Sequence, residues 1–229
     1  MLGGDRFAFH ATRRDPAARL MIDPGLEWAT LLGGSLTDKI EGLSLGHDGT
    51  VTVGGETFSI DFPTTPGAFD TSFTPGGGNI DLCVSRFDST GSRLLYSTYL
   101  GGPAAEDFGG IAVAVNGETV VAGTAWGGGY PVTPGAFDTT SASTEAFVTR
   151  LNCDGSGLVY STFLGEESIE TGAGMSLAPD GTVTLCGQTN SPSFPVTRGA
   201  FDSVGEGTPL SPEAFVAKLS AAGDALLFA

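Results

Sequence analysis

Apolar residues in this chain come in short runs broken by glycine, proline and polar turns, and they never recur at the three-to-four-residue spacing of a helix face. Runs of this length bounded by turn residues predict strands. One set opens at Leu94 to Leu100 and Leu158 to Leu164. A small-residue strand follows at Gly110 to Val115, matched by Gly42 to Leu45 and Gly174 to Leu177. Then come Asp48-Gly49, Asn116-Gly117 and Asp180-Gly181, dipeptides that suit a two-residue hairpin because both central residues take φ > 0. A third strand is expected at Val51 to Gly54, Thr119 to Gly123 and Val183 to Gly187. A fourth is expected at Leu82 to Phe87, Ala146 to Leu151 and Ala214 to Leu219, ending in a polar turn with Gly91, Gly155 or Gly223.

These elements belong to a repeat. The motif Thr-x-Leu-Gly stands at Thr30 to Gly33, Thr98 to Gly101 and Thr162 to Gly165, spaced 68 and then 64 residues apart. A second marker, Gly-Ala-Phe-Asp at Gly67 to Asp70, Gly135 to Asp138 and Gly199 to Asp202, has the same two spacings. Two independent markers with one pair of spacings define tandem copies. Four hairpin-linked strands per copy predict an all-β fold of β-propeller blades, three four-stranded antiparallel repeats forming an open arc or part of a larger propeller. A β-helix coil would be shorter, and a sandwich would not repeat at one long period. By sequence the copies run 26–93, 94–157 and 158–225, and a fourth opens at 226–229.

Several of these motifs, in order, resemble the SBBP repeat, the bacterial seven-bladed β-propeller repeat. They stand at Tyr160 to Gly165, Gly110 to Val113, Tyr130 to Phe137 (with Tyr130 where the family has Phe) and Ala214 to Leu219. The resemblance covers residues 26 to 229. It implies a secreted or cell-surface bacterial protein and carries over no catalytic residue. Residues 1–25, with alternating Phe7-Ala8-Phe9 and the run Arg19 to Pro24, are expected to be the last strands of a preceding domain.

Composition fits turns and strands: 36 glycines and only 16% charged residues, with the glycine interleaved among Val, Ile, Leu and Phe rather than in low-complexity tracts. A net charge of −16 argues strongly against nucleic acid as a partner, since a surface for it needs clustered Lys and Arg. Three cysteines without CxxC spacing make neither a disulfide framework nor a metal motif. Cys83 aligns with Phe147 and Phe215 in a core place, Cys186 with Gly54 and Ala122 in a small buried place, and Cys153 lies in an exposed turn. No apolar run reaches transmembrane length, and no signal peptide is visible.

Acidic residues recur in register. Asp38, Glu106 and Glu170 precede the small-residue strand; Asp81, Glu145 and Glu213 precede the fourth; Asp70, Asp138 and Asp202 follow Phe in the loop. Such a set could bind Ca²⁺, but there is no dense ligand run, and carboxylates that accept turn N–H groups are the preferred reading. Arg86, Arg150 and Lys218 are also equivalent and pose a choice between an ion pair linking blades and a solvated outer face. His10 and His47 have no marked nucleophile beside them, and Gly76 to Gly78 and Gly127 to Gly129 lack the Lys-Ser/Thr of a phosphate loop. Trp126 and Tyr130, flanking the second glycine run, form a possible aromatic contact surface for a glycan or other small ligand.

The expected function is therefore a non-enzymatic extracellular or cell-surface interaction or spacer module whose loops meet a protein or polysaccharide partner. It carries no catalytic site and needs no cofactor, Ca²⁺ being the one candidate. The alternative is the propeller domain of a secreted lyase or hydrolase with an acidic channel. Neither end of the repeat array reads as a polar cap, so the fragment is expected to self-associate or to need further blades.

Overall fold

The computed structural model describes residues 26–74, 80–141, 143–166, 168–208 and 210–229. The preceding-domain strands expected over residues 1–25 and the run Gly76 to Gly78 lie outside the described residues. All twelve described elements are strands, with no helix among the described residues, hence none long and apolar enough to cross a membrane. They form three antiparallel four-stranded sheets in simple chain order. The first holds β1 (Asp38–Leu45), β2 (Val51–Thr57), β3 (Asp81–Phe87) and β4 (Leu94–Leu100). The second holds β5 (Glu106–Val113), β6 (Thr119–Ala125), β7 (Glu145–Leu151) and β8 (Leu158–Leu164). The third holds β9 (Glu170–Leu177), β10 (Val183–Thr189), β11 (Glu213–Leu219) and β12 (Leu226–Phe228).

Sheets and sequence copies are out of phase. The strand that opens each copy closes the sheet before it: Leu94–Leu100 pairs with β3, Leu158–Leu164 with β7 and Leu226–Phe228 with β11. Leu26 to Leu32 holds the corresponding place in the first copy but is not a strand in the structure. Its ring Trp28 packs near Phe87 of the first sheet, and Leu32 against the buried Phe62, Cys83 and Tyr99.

The first hairpin of each sheet departs from the two-residue turn its dipeptide suggests. Leu45 and Val51 flank a wider loop, closed by Gly46 N–H donating to Thr50 O (2.8 Å) and Gly49 N–H to Gly46 O (3.0 Å). Gly49 holds φ 79°, the left-handed region that glycine enters without strain. Asp48 decides the difference: its Oδ1 accepts both the N–H and hydroxyl of Thr50 (3.1 and 2.6 Å), fixing the turn from within. Asp180 does the same with Thr182.

The sheets pack face to face in chain order, β1 against β5, and β5 and β6 against β9. Leu82, Val84, Tyr96 and Leu100 of the first sheet meet Val121, Phe147, Leu151 and Phe163 of the second in one apolar layer. Val120, Val148, Tyr160 and Leu164 meet Val183, Leu185, Phe215 and Leu219 in the next. Close approach at the first strands needs glycine: a methyl on Gly42 or Gly54 would stand 2.8 or 2.7 Å from the Phe108 ring.

Each β2–β3 type connection folds back along the free edge of its own fourth strand. Thr65 and Asp70 exchange backbone bonds with Ser97 and Tyr99 of β4, as Thr133 and Asp138 do with Ser161 and Phe163 of β8. The same loops reach onward. Phe69 N–H donates to Gly155 O and Phe137 N–H to Gly223 O (both 2.8 Å), so the first two Gly-Ala-Phe-Asp loops each grip a turn of the next sheet.

Candidate functional site

The repeated acidic residues stand at strand starts, where they face turns. Asp38 Oδ2 accepts Gly34 N–H at 2.7 Å, Glu106 Oε1 accepts Gly102 N–H at 3.0 Å, and Glu170 Oε2 accepts Glu166 N–H at 3.4 Å. Asp81 Oδ2 accepts Thr74 N–H, and Glu213 Oε2 accepts both Glu206 and Gly207 N–H. Asp70, Asp138 and Asp202 close local turns with Ser72, Thr140 and Val204. The preferred reading of these carboxylates, as acceptors for turn N–H groups, describes their bonding in the structure.

One relationship among them was not legible from their types alone. Asp81, which opens β3 of the first sheet, and Glu106, which opens β5 of the second, face each other across Gly101. A methyl on Gly101 would lie 3.0 Å from Asp81 Oδ1 and 2.6 Å from Glu106 Oε2. Both residues are buried, and those two oxygens have no hydrogen-bond partner among the described residues. Burial pushes Asp81 up to about 6 and Glu106 up to about 8, the second also through the charge of Asp81. Glu145 and Glu170 repeat the arrangement around Gly165, each with Oε2 2.6 Å from the same point. The equal 25-residue spacing of Asp81 to Glu106 and Glu145 to Glu170 is the sequence signal that could have found these pairs. Among the described residues, no three of His, Cys, Asp and Glu group as a metal site.

The equivalent cations take neither of the two expected roles alone. Arg86 and Arg150 are buried. Their ion pairs run within a sheet, Arg86 Nη2 to Asp48 Oδ2 at 3.4 Å and Arg150 Nε to Glu118 Oε2 at 2.7 Å. Contact between sheets is made instead to carbonyls: Arg86 Nη1 donates to Gly117 O at 2.8 Å and Arg150 Nη1 to Gly181 O at 3.3 Å. The guanidinium fork allows both at once.

Clefts of about 400 and 450 Å³ open between neighbouring hairpin turns, and His47 borders both. The first also holds Asp48, Arg86 and the exposed Cys153.

Trp126 and Tyr130 do not form one aromatic surface. Trp126 is half exposed, and its Nε1 donates to Asp107 Oδ2 at 2.7 Å. Tyr130 turns inward, stacked 4.2 Å from Phe147 with its hydroxyl on Thr149. Its place matches Phe62 and Phe194, both buried, so an apolar repeat position outweighs the hydroxyl. Cys83 is buried as expected, and burial pushes its thiol up to about 12. Cys186 is exposed, contrary to expectation: Gly54 lies under Phe108 and Ile111 of the next sheet, and among the described residues no further sheet lies over Cys186. Comparison with models of known protein families gave no match, and comparison with curated protein sequences gave none either.

Proposed function

We propose that the chain is an arc of β-propeller blades acting as a non-enzymatic interaction or spacer module of a bacterial cell-surface or secreted protein. The observation that carries this is a division of labour along the repeat. Polar residues that recur, the strand-start carboxylates and Arg86 and Arg150, are bonded into turns and neighbouring sheets. Residues that differ between copies sit exposed at the hairpin tips, His47, Val115 and Pro179 at one equivalent place. A constant scaffold with variable tips is the arrangement binding proteins use. The likeness to the SBBP repeat supports the same reading and adds the bacterial surface; a polysaccharide or protein is the partner it suggests.

The test is binding of the chain to a panel of purified surface polysaccharides and secreted proteins, with His47→Ala and Trp126→Ala measured alongside. Weaker binding by these variants at unchanged melting temperature is the expected result. Turnover of any panel polysaccharide, with or without Ca²⁺, would instead establish the lyase or hydrolase alternative.

A further inference from the structure

The carboxyl groups at the junction of the first two sheets are buried with no donor between them. Asp81 is 2% exposed and Glu106 1%. Each spends one oxygen on a backbone N–H: Asp81 Oδ2 accepts Thr74 N–H at 3.1 Å, and Glu106 Oε1 accepts Gly102 N–H at 3.0 Å. The other two oxygens, Asp81 Oδ1 and Glu106 Oε2, turn toward one spot over Gly101 and accept nothing among the described residues. Their titratable neighbours bring no positive charge. Asp70 and Tyr99 lie near Asp81 in the first sheet and its loop, and Asp107 and Tyr130 lie near Glu106 in the second. No ion pair among the described residues includes Asp81 or Glu106.

An ionised carboxylate can only accept, so two of them here would leave two buried acceptors empty and set like charges side by side. A single proton removes both faults. Carried on Glu106 Oε2, it makes an O–H that donates to Asp81 Oδ1. Burial pushes Glu106 up to about 8 and Asp81 only to about 6, which puts the proton on Glu106 between those values. Two groups this close titrate as one unit.

The surroundings of the pair give that proton a consequence. Glu106 follows the connector 101–105, and the residues on either side of it hold Trp126. The N–H of Trp126 donates to Ala105 O at 2.9 Å, and its Nε1 donates to Asp107 Oδ2 at 2.7 Å. The loop 126–130 then lies on the connector backbone to backbone. A methyl on Gly102 would stand 2.7 Å from the Gly129 carbonyl, and one on Gly129 would stand 2.5 Å from Pro103 Cδ. Glycine on both sides leaves no side chain to absorb a shift of the connector, so the loop must follow it. At the next junction Asn190 N–H donates to Ile169 O in the same way, but there Asn stands where Trp126 does. The aromatic output therefore belongs to the first junction.

We propose that Asp81 and Glu106 share one proton, and that its loss to water makes this junction a pH-sensitive switch that frees the Trp126 loop. With the proton in place, the O–H bond ties β3 of the first sheet to β5 of the second. Once it leaves, both groups are charged and Glu106 is driven away from Asp81. Gly102, bonded to Glu106 Oε1, moves with it, as do Ala105 and Asp107 on either side. Trp126 then loses the two partners that fix its backbone and its ring. The switch is a two-state element biased by one titrating pair. It stands on the geometry of the junction and not on what the module binds.

Trp28→Phe leaves Trp126 as the single tryptophan, so its emission and its quenching by acrylamide read the loop directly. As pH rises, a reversible red shift with stronger quenching is expected, with its midpoint near the value of about 8 that burial gives Glu106 and with the far-UV spectrum unchanged. Glu106→Gln in this background abolishes the transition, because the amide cannot ionise and its N–H still reaches Asp81. Asp81→Asn moves it to lower pH, since the amide then donates to an ionised Glu106. Asp107→Asn keeps an acceptor for the indole and retains the transition. Infrared spectra of the unsubstituted chain give a second reading, in which a protonated-carboxyl band present at neutral pH disappears with the same midpoint. Emission that does not change with pH overturns the proposal, as does a transition that survives unaltered in both Glu106→Gln and Asp81→Asn or one that Asp107→Asn removes. So does the lack of a protonated-carboxyl band at neutral pH.

Discussion

The ring of Tyr96 occupies the space beside Gly155, where a methyl on that glycine would stand 2.4 Å from ring carbon Cδ2. Gly155 also holds φ 69°, so both its backbone and its missing side chain are required. Trp28 with Gly91 and Tyr160 with Gly223 repeat the pair, which locks the closing strand of one sheet against a turn of the next.

Gly155→Ala therefore meets two penalties, and Gly135→Ala only one. Gly135 has φ 81° with nothing within 4 Å of an added methyl. Left-handed strain alone costs about 1–2 kcal/mol. Displacing Tyr96 from a packed layer adds roughly 1–3 kcal/mol at Gly155. Parallel urea titrations check this; equal losses at the two sites would show that the aromatic contact does not matter.

Arg86→Ala is expected to destabilise by about 2–4 kcal/mol, because it removes charge-assisted bonds to buried acceptors and leaves them unsatisfied. The acceptors are Thr50 Oγ1, at 3.1 Å from Nε and 2.8 Å from Nη2, and Gly117 O. Lys218→Ala, at the partly exposed equivalent position, should stay within about 0.5 kcal/mol of the parent. Denaturant midpoints of the two variants decide it, and a small loss at Arg86 contradicts the bridging role.

Stability should depend on pH through the pair Asp81 and Glu106. Their folded-state pKa values are raised, so the folded chain holds these protons more tightly than the unfolded one. That contribution is full below the ordinary carboxylate range and is lost as pH rises through about 6 for Asp81 and about 8 for Glu106. Asp48 and Asp180, lowered mainly by bonds from Thr50 and Thr182, act in the opposite sense and lose their contribution in acid. Glu106→Gln removes one charge and offers an N–H to Asp81 Oδ1. It should raise the melting temperature above pH 8, by roughly 2–10 °C for about 1–3 kcal/mol, with little change near pH 5. A uniform shift at both pH values argues against the pair.

Millimolar Ca²⁺ should change the melting temperature little relative to EDTA. The strand-start carboxylates already accept turn N–H groups, and a cation must compete with those bonds. A site filled at a hundred times its dissociation constant would add about 2.7 kcal/mol. A Ca²⁺-dependent rise of that size would show that the facing carboxylates are ligands after all.

The strands themselves were readable because apolar runs, Gly-bearing turns and fixed spacing coincide in all three copies. Pairing partners were less so. Leu94–Leu100 carries nothing local that says whether it closes one sheet or opens the next; that depends on which neighbour offers a free edge. The hairpin differs from expectation because Asp-Gly and Asn-Gly suit two turn geometries, and the side chains of Asp48 and Asn116 favour the wider one by accepting the N–H two residues on. Tyr130 follows a glycine run that suggests an exposed loop, yet it is buried like its repeat equivalents Phe62 and Phe194. Cys186 illustrates the opposite limit: its small neighbours by alignment predict burial, but burial belongs to whatever stacks on that sheet.

The phase shift between sequence copies and sheets also sets an order in time. A chain made from its N-terminus presents β1, β2 and β3 with an open edge until Leu94–Leu100 has followed, and by then Glu106 is only six residues away. Each sheet is thus sealed by the leading residues of the next copy, so at every stage of synthesis the most recent sheet waits with one side bare. Exposed edges of this kind are where nascent chains pair wrongly with one another. The Gly-Ala-Phe-Asp loop, which emerges between β2 and β3, is made before both of its partners, Leu94–Leu100 and the Gly155 turn of the next sheet, and gains its bonds only as each of them follows.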